Sequence, residues 1–297
     1  MRAGPSSEMA AAPPAPKQNP ALVPAANSVP ATWSRFRYPQ SLYKYGALLG
    51  TLAFIAFALD YLKIPLERLP GMLGRMGEML GRRYFPPNVT HILNAEYWHT
   101  VVETLQMSYL ATVIGILISI PLAWFASYNM TPSKRFVYPL ARLIIMGCRS
   151  VHEMIWTILL VAILGFGMLP GAVALTLFCI GFSGKLFSEA IEAIKPGQVE
   201  AIRATGANNF QAFIFAVLPQ VRVAWTGISI YTWDVLFRAA TVVGFFGAGG
   251  MGWFLRESVQ RIASRDVAAI LLSIILVVII SELLSAWLRT RVAAAIA

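Results

Sequence analysis

Residues 267–288 read VAAILLSIILVVIISELLSAWL, an apolar run whose only charged side chain is Glu282. In an α-helix, its 22 residues would extend about 33 Å, which is close to the roughly 30 Å hydrocarbon core of a bilayer. Arg289 and Arg291 follow the run directly. The run therefore predicts a membrane-spanning helix with a basic end.

Five further apolar stretches precede this one along the chain. They are Tyr45–Leu62, Val101–Ser127, Phe136–Gly167, Pro170 to about Ser183, continued by an amphipathic segment to Ile194, and Val223–Phe246. The third would extend about 45 Å as one helix, so we expect it to be tilted or broken. Because a backbone in lipid must satisfy its own hydrogen bonds, the predicted fold class is all-α, a polytopic membrane protein with about six transmembrane helices.

Composition supports a membrane protein and excludes several other classes. Charged residues make up 13% of the chain, and apolar residues make up 57%. The net charge of +10 comes from basic residues that flank apolar runs, which favours contact with anionic lipid over nucleic acid. Two cysteines and three scattered histidines lack the spacing of a metal or redox site. We therefore expect no catalytic site, no metal and no cofactor bound by this chain.

The N-terminal part is predicted to differ from the remainder of the chain. Residues 1–40 are rich in proline and alanine and predict a disordered tail. Residues 41–99 hold the first span and a stretch, from Leu66 to Leu80, in which apolar residues at helical spacing alternate with arginines. That pattern predicts an amphipathic helix lying in the membrane interface. Residues 100–297 are then a single transmembrane domain.

Charged residues inside the predicted spans are candidate functional residues. Arg149 and Glu153 are four residues apart, with His152 beside them, and Asp234 and Arg238 have the same spacing. Each pair can share one helix face, and the cost of a charge in lipid places it towards the bundle interior or an aqueous path. Two interpretations remain open. The arginines either contact an anion that crosses the membrane or are neutralised by their carboxylates and hold helices together.

Two other segments are distinctive. Gly247, Gly249, Gly250 and Gly252 predict a flexible loop at the exit of the fifth span, a candidate gate. The polar segment Glu200–Gly206 lies between two apolar runs, and Gln198 to Thr205 are predicted to form two turns of helix at the membrane surface. Glu200 would lie in its first turn, and Gly206 would stop it in the left-handed conformation.

The polar segment resembles the coupling motif of the permeases of ABC importers. The residues that match are Glu200, Ala201, Gly206, Leu218 and Pro219, whereas Ile202 and Ala216 depart from the motif. A wider set of motifs occurs in the same order as in phosphonate importers: Arg149-x-x-His152-Glu153-x-x-Trp156, Gly184-Lys185-x-x-x-Glu189, Glu192, Asp234-x-x-x-Arg238 and Gly247-Ala248-Gly249-Gly250-Met251-Gly252. This resemblance covers roughly residues 100–290, with Leu236 where the family often has asparagine.

The resemblance implies a type I ABC-importer permease in the bacterial inner membrane, with a cytoplasmic coupling loop over residues 189–219. It implies a second copy of the permease, two ATP-binding subunits that hold ATP and Mg²⁺, and an extracytoplasmic substrate-binding protein. Six spans would place both termini and the coupling loop in the cytoplasm. The implied cargo is a phosphonate or a related phosphorus oxyanion.

Three alternatives remain open at this point. The cargo could be another small solute, and the chain could instead be a secondary transporter or channel that works alone. An intramembrane enzyme using Glu153, His152 and Asp234 is the third, although the sequence offers neither a nucleophile nor a metal set for it.

Overall fold

The computed structural model describes residues 39–63 and 69–296, and within these ranges it contains helices and no strand. The helices are α1 Gln40–Tyr61, α2 Leu69–Met79, α3 Val89–Ile92, α4 Ala95–Phe125, α5 Val137–Ser150, α6 Glu153–Leu164, α7 Met168–Glu192, α8 Pro196–Ala204, α9 Asn209–Ala212, α10 Leu218–Val243, α11 Gly250–Gln260 and α12 Ser264–Ile296. Short π-helical turns at Leu80–Tyr84, Phe213–Val217 and Gly244–Ala248 follow α2, α9 and α10.

Contacts divide the chain after Pro70. The first unit contains α1, a helix long and apolar enough to cross a membrane. The predicted disordered tail lies outside the described residues, except for its last two. The second unit, from Gly71 onward, contains the remaining spans. The amphipathic helix expected from Leu66 to Leu80 is described from Leu69, as α2 and its π turn, and Arg82 pairs with Glu78 on it at 2.7 Å.

The predicted number of spans is confirmed. Five helices of the described residues are long and apolar enough to cross a membrane, or six spans if the bent pair α5 and α6 counts as one. The fourth predicted span and its amphipathic continuation form one continuous helix, α7, of 25 residues. The long third stretch, expected to be tilted or broken, is broken, with an angle of 85° between α5 and α6.

The break changes the relationship between Arg149 and Glu153. Val151 and His152 have extended backbone dihedrals, and the His152 Nδ1 atom accepts a hydrogen bond from the Met154 backbone N–H at 3.4 Å. Arg149 therefore ends α5, whereas Glu153 begins α6. The prediction that these two residues share one helix face was wrong, because the i, i+4 relationship needs a continuous helix.

Small residues bring α4, α5 and α7 into close contact. A Cβ atom added to Gly115 of α4 would lie 2.4 Å from the Cys179 Cβ of α7, and one added to Gly181 would lie 2.9 Å from the Arg149 backbone N. The Ser183 hydroxyl donates a hydrogen bond to the Ser119 hydroxyl across the first contact, at 2.8 Å. Close backbone approach and interhelical hydrogen bonds hold helices together in lipid, where apolar burial contributes little.

The glycine-rich segment after α10 is not the flexible loop that its composition predicted. Gly244–Ala248 form a π turn and Gly250 begins α11, a helix that the sequence reasoning missed. A Cβ atom at Gly252 would lie 2.1 Å from the Thr241 carbonyl oxygen, and one at Gly244 would lie 2.3 Å from the Gly249 carbonyl oxygen. These glycines permit close packing of α11 against the end of α10. Their role in transport remains a prediction.

The contact between Gly115 and Cys179 generates a stability prediction. Gly115→Ala should lower the free energy of unfolding by about 1–3 kcal/mol, because the added methyl group overlaps the Cys179 side chain. Thermal unfolding of the purified protein in detergent measures the change. Cys179→Gly in the same chain removes the overlapping atoms and should restore part of the loss. Gly227→Ala is the matched control, since a Cβ atom there meets nothing within 4 Å. Equal unfolding temperatures for the Gly115 and Gly227 variants would contradict the packing argument.

Candidate functional site

The polar segment forms a surface helix, α8, as predicted. Pro196 occupies the first turn, and Gly206 follows the helix with a φ of +87°, its N–H donating to the Arg203 carbonyl at 3.0 Å. Glu200 and Ala201 are exposed, whereas Val199 is 7% exposed and faces the protein. Glu200 lies one turn further into the helix than expected, because α8 begins at Pro196. The helix exposes the small side chain of Ala201, so another protein could approach its backbone closely.

Four aromatic side chains connect α8 to the spans. This aromatic anchor consists of Trp124 of α4, Phe187 of α7, Phe213 of the π turn after α9, and Trp225 of α10. Ring centroids lie 5.0 Å apart for Trp124 and Phe213, 6.3 Å for Phe213 and Trp225, and 4.7 Å for Phe187 and Trp225. Val199 is part of the same cluster, and Ile202 packs against it. The inner face of α8 therefore packs on the π turn after α9, and Phe213 of that turn contacts rings of α4 and α10.

The second half of the motif leads from α8 into α10. Asn208 and Gln211 form a reciprocal capping box at the start of α9. Ala216 is buried in the aromatic cluster, at the position where the motif has isoleucine. Leu218 and Pro219 begin α10 and are exposed. The Asn-x-x-Gln pattern was a readable signal for this helix start, which the sequence reasoning did not use.

A second connection lies beside α8, at the end of α7. The Arg142 guanidinium of α5 pairs with the Glu192 carboxylate at 2.6 Å and donates a further hydrogen bond to the Ala126 carbonyl at 2.8 Å. The same Glu192 oxygen accepts the Tyr128 backbone N–H at 3.0 Å. Sequence reasoning did not single out Arg142, because its partner is 50 positions away. The pair holds α5 and the segment after α4 against the end of α7.

The charge pair in α10 forms as its spacing predicts. One Arg238 nitrogen lies 2.9 Å from the Asp234 Oδ2 atom; the Asp234 side chain is 3% exposed, and that of Arg238 is 43% exposed. The other carboxylate oxygen of Asp234 is buried and has no hydrogen-bond partner among the described residues. The pair therefore has a buried acid and an accessible guanidinium with donors to spare.

The three predicted site residues at the break between α5 and α6 are Arg149, His152 and Glu153, and they do not form one cluster with the pair in α10. The Glu153 side chain is 13% exposed and lies 3.3 Å from the His152 ring, which is 57% exposed. Arg149 is exposed, and within residues 39–63 and 69–296 it makes no ion pair. No hydrogen bond or ion pair between described side chains joins these three residues to Asp234 or Arg238.

At the opposite end of α10, the glycine turn is held by α4. The Gly250 N–H donates to the Glu103 carboxylate at 3.2 Å, and the Met251 N–H donates to the Thr104 hydroxyl at 2.9 Å. Glu103 also lies 3.2 Å from the His99 ring. An acid at a helix N-terminus stabilises the free N–H groups there. Glu103 thus positions α11, a contact that the sequence reasoning missed. In the described part of the chain, no group of three or more metal-binding side chains occurs.

Comparison with known proteins agrees with this architecture. Residues 111–296 match the family described as the binding-protein-dependent transport system inner membrane component. The phosphite transport system permease protein PtxC of Stutzerimonas stutzeri is 42% identical over 189 residues, which are 64% of this chain and 68% of that protein. The phosphate-import permease protein PhnE of Mycolicibacterium smegmatis is 38% identical over 70% of this chain, and the match spans only 39% of that protein.

Solved structures share the fold at low sequence identity. A chain of the inward-facing MetNI methionine ABC transporter has a TM-score of 0.58 at 20% identity, over 68% of this chain and 96% of its own length. A chain of a bacterial alginate ABC transporter has a TM-score of 0.55 at 16% identity, over 86% of this chain and 99% of its own. The helices, the surface helix α8 and the family match lead to one conclusion: the chain belongs to the inner-membrane components of binding-protein-dependent transport systems, and it has the fold of an ABC-importer permease.

Proposed function

We propose that this permease imports a phosphorus oxyanion, such as a phosphonate, phosphite or phosphate, through a path that Arg238 lines. The observation that carries the proposal is the exposed Arg238 guanidinium, held by a buried Asp234 in the middle of a span. A guanidinium matches phosphorus-bound oxygens with two parallel hydrogen bonds. The names of the relatives, a phosphite permease and a phosphate-import permease, point to the same class of cargo.

The Asp234–Arg238 pair suits transient binding. A lone arginine inside the membrane is costly and would retain an anion strongly. Asp234 bonds one nitrogen of the guanidinium and offsets its charge, so an anion would be held less strongly. The other N–H donors of Arg238 stay available to that anion. The cargo could then bind and leave as the surrounding helices move. Arg149, His152 and Glu153 are proposed to line the same path near the break between α5 and α6.

The proposed assembly contains two copies of this chain, two ATP-binding subunits and an extracytoplasmic binding protein. ATP and Mg²⁺ would bind the partner subunits, so this chain would have no catalytic site of its own. The description of the family as binding-protein-dependent, and the periplasmic protein bound in the alginate ABC transporter structure, support this arrangement. The coupling loop, residues 189–219, and both termini would lie in the cytoplasm.

Coupling is proposed to act through α8 and the aromatic anchor. A partner that holds Glu200 and Ala201 would move α8, and stacked rings transmit displacement because a packed core resists compression. The anchor contacts the ends of α4, α7 and α10. Since α10 also carries Arg238, movement at the surface would reach the proposed path along a single helix. Leu218 and Pro219 would complete the docking surface at the start of α10.

The first functional prediction concerns docking on α8. Ala201→Arg should abolish coupling, because a long charged side chain would block the close approach of the ATP-binding subunit to α8. Since Ala201 is exposed, the fold should be unaffected. We expect uptake of phosphite or phosphate by intact cells to fall at least tenfold, which corresponds to about 1.4 kcal/mol of lost interaction. The ATPase should also separate from the permease during purification.

The matched control is Ala201→Ser, which keeps the small size and should retain transport. Normal uptake by Ala201→Arg, with the ATPase still bound, would rule out docking at this position.

A second functional prediction concerns the pair in α10. Arg238→Lys keeps the charge but loses the planar fork, so uptake should fall about tenfold or more while the complex assembles normally. Arg238→Gln alone should reduce the amount of folded protein, because it leaves the buried Asp234 carboxylate unpaired at a cost of about 3–5 kcal/mol. The double variant Asp234→Asn with Arg238→Gln should recover folded protein but not uptake.

Arg261 provides the matched control. It pairs with Glu257 at the same i, i+4 spacing, but on the exposed surface of α11. Arg261→Lys should therefore leave uptake unchanged. Full uptake by the neutral double variant at positions 234 and 238 would show that the pair only holds helices together.

A further inference from the structure

Two adjacent cavities lie at the start of α12, away from the proposed path. The first, the arginine cavity, has a volume of about 630 Å³ and is lined by Arg83, Asn88, Arg265 and Asp266, among others. The second, the apolar groove, has a volume of about 660 Å³ and is lined by Leu80, Tyr84, Val267, Leu271 and Leu272, among others. Pro87 lines both cavities. They are therefore neighbouring parts of one surface depression.

The arginine cavity carries positive charge that the fold does not neutralise. Arg83 and Arg265 are exposed, and in the part of the chain that the structure describes neither forms an ion pair. Asp266 is the acid of the cavity, and one of its oxygens already accepts a hydrogen bond from the Asn88 amide at 2.7 Å. An arginine stays charged at any physiological pH. The cavity thus offers two guanidinium groups to an anion.

The apolar groove follows α12 into the membrane. Val267 and Leu271 are one helical turn apart, and from Arg265 to Leu272 the helix rises by about 10 Å. The other wall is the π turn after α2, at Leu80 and Tyr84. The cationic part therefore lies at the helix end, and the apolar part extends towards the hydrocarbon core. That order matches the order of headgroup and acyl chain in a phospholipid.

We propose that this depression binds an anionic phospholipid, with its phosphate at Arg83 and Arg265 and one acyl chain in the apolar groove. A free phosphorus oxyanion has the same phosphate chemistry, but it has no use for an apolar groove of this volume. The position on the outer surface of α12 also differs from the interior position of the Asp234–Arg238 pair. The site lies at the membrane face opposite α8, because α10 connects α8 to α11 and α11 precedes α12.

The bound lipid would contact two elements that differ in how extensively they are packed. The segment Leu80–Pro87 contains a π turn without buried residues, whereas α12 packs on α10 and α11. Because the π turn already packs on α12, a lipid that contacts both would strengthen the attachment of the amphipathic segment to the bundle. The inference does not depend on which oxyanion the permease imports, since none of the residues involved belongs to the proposed path.

The test is native mass spectrometry of the full-length chain, purified in detergent with its ATPase partner and delipidated. Phosphatidylglycerol is titrated as the anionic lipid, and phosphatidylcholine with the same acyl chains as the neutral comparison. We expect phosphatidylglycerol to bind more tightly. Arg83→Gln should weaken its binding roughly fivefold, and Arg83→Gln with Arg265→Gln roughly 25-fold, since each arginine near an anionic lipid contributes about that factor.

Three controls separate the possible outcomes. Arg82→Gln should leave lipid binding unchanged, because Arg82 pairs with Glu78 and does not line the cavities. Ala268→Trp, which fills the apolar groove, should weaken lipid binding with both arginines intact. Inorganic phosphate at millimolar concentration should not displace the lipid. Displacement by phosphate would assign the arginines to a free anion. Equal binding of both lipids, or unchanged binding by the double arginine variant, would also overturn the proposal.

Discussion

The close approach of α4 and α7 is the constraint on which the remaining structure depends. Helices in lipid gain little from apolar burial, so their association depends on close packing and interhelical hydrogen bonds. Because Gly115 has no side chain, the α4 backbone can lie directly against Cys179. One helical turn further along, the Ser183 hydroxyl donates a hydrogen bond to the Ser119 hydroxyl. α7 then serves as the central support, since α5, α6 and α10 also pack on it. Its end carries Glu192, four residues before α8 begins at Pro196.

The same support explains how a surface helix could control a site in the membrane. Phe187 of α7 and Trp225 of α10 stack in the cluster that includes Val199 of α8, and the Trp225 indole N–H donates to the Phe187 carbonyl at 3.3 Å. Trp225 and Arg238 are on one helix, about 20 Å apart along its axis. An unbroken helix changes length very little, so a displacement at Trp225 moves Arg238 as well. The Arg142–Glu192 pair adds α5 to the elements that would move with α7.

Sequence reasoning predicted those features that depend on local pattern and missed those that depend on distant contacts. The lengths of the apolar runs predicted the spans and a third stretch that is tilted or broken, and Gly206 was predicted to stop α8. The short helix α11 was missed because its glycines are typical of a loop; their purpose is visible only once Thr241 and Gly249 are placed against them. The aromatic anchor and the Arg142–Glu192 pair join residues dozens of positions apart, for which a single sequence carries no signal.

The two charge pairs differ in the structure although their spacing in the sequence is the same. Identical spacing made Arg149–Glu153 and Asp234–Arg238 equivalent in the sequence, but the extended backbone at Val151 and His152 separates the first pair. In the second pair, Arg238 bonds one Asp234 oxygen and leaves the other buried without a partner among the described residues. Arg238 donates to Asp234 through one nitrogen, and its side chain is 43% exposed, so the remaining guanidinium donors are accessible. Asp234 thus fixes the position of Arg238 without using all of its donors, and that is the arrangement on which the proposed contact with an anion rests.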